Sequence, residues 1–400
     1  MRKSNFGALV CLLVIGLHQS PTAEIEGLHY GWAAPMTFLV VDSAILETTK
    51  SGVNATNTMT VRFLMHFKGY EPGTNVLSWA RVEVLSVNEV DPGYEHFHQL
   101  TQPIAELWES MPPVMIDASG TPVGLVDLES SIRGIDRFRE QINPGQSFQT
   151  DKRQVQAMTS SLGQQAFLQA ISKIWMAWVG SWAWDLEVEA IRELLAARQP
   201  GAVEMEVEVP FMDGGEPIPA FLEYGFLGDE TNGLVRLSFR SEFPLSKAMG
   251  RSIGNLISSL AVGDAKIDPA EIEMMEAGKT TELEAVIDPS TLMPTWVRSI
   301  ELSETKDETG QIRTRRETHE YRFNFKPTTD DLLPSARLTR DTIATTSLDY
   351  EDVDFTERFW AGLFVGIVAI SAFAVMIIWL LRRLRLMRLG ARRGETDASN

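Results

Sequence analysis

"VEMEVEV", residues 203–209, sets an apolar residue at every second position with a glutamate between each pair. Side chains alternate faces along a strand, so this period of two predicts a strand with one dry face and one wet face. The same pattern recurs. Val235, Leu237 and Phe239 alternate with Arg236, Ser238 and Arg240, and Leu283, Ala285 and Ile287 are separated by Glu284 and Val286. One-sided strands belong to antiparallel sheets, because parallel sheets are covered on both faces and read as continuous apolar runs. The expected fold is α+β: antiparallel β-sheets packed with helices, plus one C-terminal transmembrane helix.

Helices are expected over Leu125–Gln141, Lys152–Arg198 with breaks, Ser246–Ala261 and Pro269–Glu276. An internal echo surrounds the longest. "FLMHFKGYEPGTNVLSWARVEV" from Phe63 resembles "FLEYGFLGDETNGLVRLSFRSEF" from Phe221, and "MIDASGTPVGLV" from Met115 resembles "VIDPSTLMPTWV" from Val286. The pairs come in the same order, which suggests two duplicated lobes at about residues 30–150 and 200–326 with a helical insert at 152–198. Chance likeness between ordinary hairpins with Gly, Asp and Pro turns is the alternative.

The ends predict topology. Phe359 to Leu381 carries no charge over 23 residues, enough to cross a hydrocarbon core about 30 Å thick, and the arginines 382, 383, 385, 388, 392 and 393 follow at once. Such a flank stays on the cytoplasmic side. Arg2 and Lys3 before the apolar run Phe6–Leu17 have the layout of a secretory signal ending near Ala23. Cys11, the one cysteine, lies inside that run, so a processed chain would hold no disulfide. The stretch 327–358, rich in Thr, Ser and Asp, reads as an acidic stalk, and 382–400 as a basic cytoplasmic tail. The expected place is therefore a bacterial inner membrane, crossed once through residues 359–381, with residues 24–326 in the periplasm.

Charge excludes one class of partner. The chain carries −18 overall, and removing a leader of +2 and a tail of +4 leaves −24 on residues 24–381. Nucleic acid needs a basic footprint, which this part lacks.

Candidate sites are few. His96 and His98 in "YEHFHQL" would share one face of a strand, a spacing that suits a metal, although an ordinary surface pair is the simpler account. "GRSIG", residues 250–254, matches G-x-S-x-G, and Ser252, Asp288 and His319 follow the chain order of α/β-hydrolase triads. Its context reads as helix, so small glycines packed between helices explain the motif more simply. Trp175, Trp178 and Trp182 fall on one helical face, as core or as an aromatic wall against an apolar ligand. Gly362 and Gly366 form a G-x-x-x-G step suited to close helix contact in a membrane. No cofactor motif is present, and neither a Walker loop nor H-E-x-x-H occurs.

With its leader, repeated hairpins, covering helices and "D-x-S" turns, the chain loosely resembles bacterial lipoprotein-carrier-like (LolA-like) envelope domains over residues 30–326. That resemblance implies an antiparallel sheet covering an apolar cavity with helices, and a hydrophobic ligand or envelope protein as partner. It carries over no site residue, and the transmembrane anchor departs from a soluble shuttle. The function expected is a membrane-anchored, non-enzymatic binding domain. An exported hydrolase at Ser252 or at His96 and His98, and a structural subunit of a membrane complex, are the alternatives.

Overall fold

The computed structural model describes residues 28, 30–50, 53–88, 97–142, 164, 168, 171–182, 193–195, 198–209, 218–250, 276–306 and 310–328. Eleven antiparallel strands form one sheet. In chain order they are β1 (Met36–Lys50), β2 (Val53–Glu71), β3 (Thr74–Val87), β4 (Val114–Asp117), β5 (Pro122–Leu125), β6 (Gly201–Val209), β7 (Ile218–Asp229), β8 (Val235–Ser246), β9 (Glu276–Ile287), β10 (Pro294–Lys306) and β11 (Ile312–Asn324). Their order across the sheet is β5-β4-β3-β2-β1-β11-β10-β9-β8-β7-β6, so β5 and β6 are its edges and the first and last strands meet in the middle. Among the described residues the first half also holds two helices, α1 (Phe97–Glu109), packed on β3, and α2 (Leu128–Ile142), packed on α1.

The alternation read from the sequence sorts the residues as expected. On β2 the odd positions Met59, Val61, Phe63, Met65 and Phe67 are buried while Arg62 and Leu64 between them are only half-buried; β8 repeats this with Val235, Leu237 and Phe239. The buried row defines the sheet's inner face. The outer face is polar, with Arg62 paired to Glu83, Arg236 to Glu284 at 3.1 Å and Arg322 to Glu320 at 2.8 Å. Pairs this exposed add only about 0–1 kcal/mol each. They chiefly keep that face wet.

Local chemistry sets the hairpins. Pro72-Gly73 joins β2 to β3, and Gly73 at φ 80° supplies the left-handed third residue that a type II turn with Pro in second place requires. At the β4–β5 turn the Asp117 carboxylate accepts from the Ser119 amide at 2.9 Å, its hydroxyl at 2.6 Å and the Thr121 amide at 2.9 Å. Asp288 does the same between β9 and β10, accepting from the Ser290 amide at 2.8 Å and hydroxyl at 2.6 Å.

The echoed segments thus occupy matching hairpins, β2–β3 with β7–β8 and β4–β5 with β9–β10. Each half runs as five strands in meander, and β11 follows the second. The expected pair of sheets is one continuous sheet, because β1 and β11 pair along twelve positions from Leu39–Asn324 to Lys50–Arg313. The helix expected from Leu125 begins at Leu128. The Ser246–Ala261 helix is seen only through its first turn at residues 247–250, and of the helix expected from Pro269, residues 269–275 lie outside the described residues. Among the described residues no helix is long and apolar enough to cross a membrane; residues 1–23 and 359–400 lie outside them.

Candidate functional site

The inner face at the centre of the sheet is built of aromatic rings. Trp32 precedes β1, Phe38 lies on β1, Phe63 and Phe67 on β2, and Tyr321 and Phe323 on β11. Against them lies the segment 171–182, helical from 171 and widened to a π-helix over Met176–Gly180. Its three tryptophans are at most 2% exposed. Trp175 stacks on Phe67 at 6.2 Å and meets Trp32 edge-on at 4.9 Å; Trp178 stacks on Phe63 at 6.1 Å and stands at 90° to Phe323 at 5.1 Å. On the other side of Phe63, Trp108 of α1 lies flat at 5.8 Å. The spacing Trp175, Trp178, Trp182 therefore does face one way. Trp175 and Trp178 meet the sheet in ring contact, and Trp182 is buried beside them.

Polar atoms inside this layer are unevenly served. The Trp175 indole N–H donates to the Gly120 carbonyl at 2.7 Å, tying the segment to the β4–β5 turn. Among the described residues, the indole nitrogens of Trp32, Trp79, Trp108, Trp178 and Trp182, and the Tyr30 hydroxyl, are buried without a hydrogen-bond partner.

Beside the rings runs a charged strip that sequence reasoning missed. Glu301 of β10 and Glu317 of β11 face each other in register, both on the inner side. Like charges directly opposite repel, so this pair needs a counter-charge. Lys173 supplies it from the tryptophan segment, with its ammonium 3.0 Å from Glu301 and 2.9 Å from Glu317. Lys279 of β9 adds a second contact to Glu301 at 2.9 Å, and Arg315 pairs with Glu317. One position further along, the His319 Nδ1 lies 3.1 Å from both oxygens of Asp42, and its ring stacks on Tyr321 at 5.5 Å.

The environment fixes protonation. Burial disfavours charge on Glu301 and Glu317, but the ammonium of Lys173 outweighs it and holds both carboxyls below their ordinary range. Lys173 is raised in turn, since its two carboxylates overcome burial. His319 follows the same rule: burial opposes its charge, the Asp42 carboxylate more than compensates, and the imidazole is held toward its protonated form.

The triad expected from chain order does not assemble around His319 as read. Its carboxylate is Asp42, while Asp288 serves the β9–β10 turn and Ser252 lies outside the described residues. Ser299 stands opposite His319 in register, without a hydrogen bond between them among the described residues. His98 belongs to α1 rather than to a strand, which removes the shared face on which the metal spacing rested; His96 lies outside the described residues. Among the described residues no group of three or more His, Cys, Asp or Glu is arranged to hold a metal ion. Gly362 and Gly366 also lie outside them.

No family model matches the chain, and neither does any curated protein. Among solved structures it is similar to lipovitellin, described for its lipid–protein interactions, at 9% identity and a TM-score of 0.32 over 73% of this chain and 25% of that one. The chain thus spans about a quarter of lipovitellin's length. A DUF1329 family protein from Desulfovibrio piger is similar at 10% identity and a TM-score of 0.15, covering 76% of this chain and 92% of that one. An outer membrane channel from Pseudomonas putida follows at 8% identity and 0.15, covering 76% and 100%. At such scores neither fold nor ligand transfers to this chain. What it does must be argued from its own residues.

Proposed function

We propose that this chain is a membrane-anchored extracytoplasmic domain that binds an apolar ligand between the tryptophan segment and the inner face of its sheet. The aromatic layer carries this reading. Large rings from β1, β2, β11, α1 and residues 171–182 converge on one zone, and a protein concentrates such rings where it meets apolar partners as well as in ordinary cores. The segment that lies over the zone is joined to β10 and β11 by charge through Lys173, so its docking is a separate contact from the ring packing beneath it. Ligand entry would part these two layers and leave the sheet's pairing untouched.

The anchor completes the reading. Residues 359–381 would hold the domain on a bacterial inner membrane with the arginine tail inside, and 327–358 would set its reach, as expected of a tethered relative of lipoprotein-carrier-like domains. Binding by the full-length chain is measured by energy transfer from tryptophan to the uncharged methyl ester of an anthroyloxy-labelled oleic acid. The expected signal saturates at one probe per chain and is abolished by excess unlabelled methyl oleate. Transfer that rises linearly without saturation would mean partition into detergent and sink the binding reading.

A further inference from the structure

We propose that the ligand is a glycerolipid with ester-linked acyl chains, received through its carbonyl oxygens by the unpartnered indoles of the aromatic layer. This inference rests on the binding reading above and names its ligand class. Buried polar groups are almost always hydrogen-bonded, because an unmet donor keeps the full cost of leaving water. Here five indole N–H groups and one phenol, all in or beside a single aromatic zone, have no acceptor among the described residues. Trp175, in the same zone, shows the ordinary outcome by donating to Gly120.

Ring faces can receive some of these donors. Trp32 and Trp178 meet neighbouring rings edge-on, at 83° to Phe38 and at 77° to Tyr321. A weak N–H to ring contact is open to them. Trp108 has no such option among the described residues, since it lies within 18° of parallel to Phe63 and meets Trp79 at a tilt of 55° and 6.4 Å. Trp182 has no ring contact among the described residues. Three donors, on β3, α1 and the tryptophan segment, therefore await acceptors.

The chemistry of those acceptors is constrained. A pure hydrocarbon would leave the donors unmet. An ionised group would need a cation, and the charges of the inner face described here stand in the strip on β1 and β9–β11, already engaged with one another. An ester carbonyl accepts hydrogen bonds, carries no charge and sits among alkyl chains. Donors on three separate elements call for more than one such carbonyl, which a diacyl glycerolipid supplies.

The test uses the full-length chain and the bound anthroyloxy probe, displaced either by dioleoylglycerol or by its di-O-oleyl ether counterpart, which has the same chains without carbonyls. The ester is expected to displace the probe at a concentration at least fivefold lower. In protein labelled with 15N at the indoles, the signals of Trp79, Trp108 and Trp182 are expected to shift downfield with the ester and not with the ether. This readout needs no variant. Trp108→Phe, which keeps a ring and removes the donor, should narrow the difference between the two lipids. Equal displacement by both, with unmoved indole signals, overturns the ester assignment and leaves binding intact. Failure of the probe to bind at all overturns the binding reading itself.

Discussion

Trp178→Ala is expected to destabilise the folded chain by about 4 kcal/mol, the range for removing a large ring from a core. Trp178 is wholly buried, and its ring touches Phe38, Phe63, Tyr321 and Phe323, which belong to three adjacent strands, β2, β1 and β11. Its loss opens a void where the two halves of the sheet join, and strands held in a hydrogen-bonded ladder cannot move in to fill it. Urea unfolding of the full-length chain, followed by far-ultraviolet circular dichroism, measures the cost, and the melting temperature should fall by roughly 10 °C. A loss below about 1 kcal/mol would mean that the ring is peripheral.

The second large effect belongs to Lys173. Lys173→Met keeps the stem and removes the charge, leaving Glu301 and Glu317 face to face with only Lys279 and Arg315 at their flanks. Breaking a buried pair costs about 3–5 kcal/mol, and because Lys173 is 30% exposed the expected loss is discounted below that range, to about 2–3 kcal/mol near pH 6. The deficit must shrink in acid. Both carboxyls are held below their ordinary value near 4.5, so their contribution is present above that value and is lost as pH falls through their folded-state values. Once they are protonated they no longer miss the lysine, and variant and wild type converge. His319 works in the opposite sense: held above its ordinary 6.5, it contributes fully below that value and loses its contribution as pH rises. Taken together these groups place their greatest contribution between about 4.5 and 6.5. Unfolding titrations of both proteins from pH 3 to 9 test this; a deficit that stays constant into acid would contradict the bridging role of Lys173.

Much of the sheet could be read from the chain. The alternation at 203–209, 235–240 and 283–287 reports strands with one buried face whatever their partners, because burial and pleat share the period of two. Which strands pair is a long-range matter, and nothing local in β1 or β11 announces that they join across nearly the full chain. Helix α1 was hidden for a different reason. Phe97, Thr101, Ile104, Trp108 and Met111 recur at spacings of four and three, all of them buried, but Pro103 inside the run imitates a break. The short polar stretch before it then took the look of a strand.

The candidate site was legible by half. The tryptophan spacing revealed a common face without saying that it meets sheet rings. The charged strip left a signal that the reading passed over. Asp42 shares the inward parity of Phe38 and Val40, and Glu317 and His319 share that of Tyr321 and Phe323. Charged residues on the dry side of an alternating strand are costly unless paired, so their position alone asks for partners. Asp42 and His319 find each other across β1 and β11, and Glu317 finds Lys173 of the tryptophan segment, partners far apart in sequence.

The most direct test of ligand binding beneath the tryptophan segment is photo-crosslinking in the living cell. Cells expressing the full-length chain are fed a fatty acid carrying a diazirine near the chain end, irradiated, and the chain's labelled peptides mapped by mass spectrometry. The account predicts two sets of sites, residues 359–381 from the surrounding bilayer, and a second set on residues 171–182 together with the facing strands β1, β2 and β11. Label confined to 359–381, with none on the aromatic layer, would contradict it.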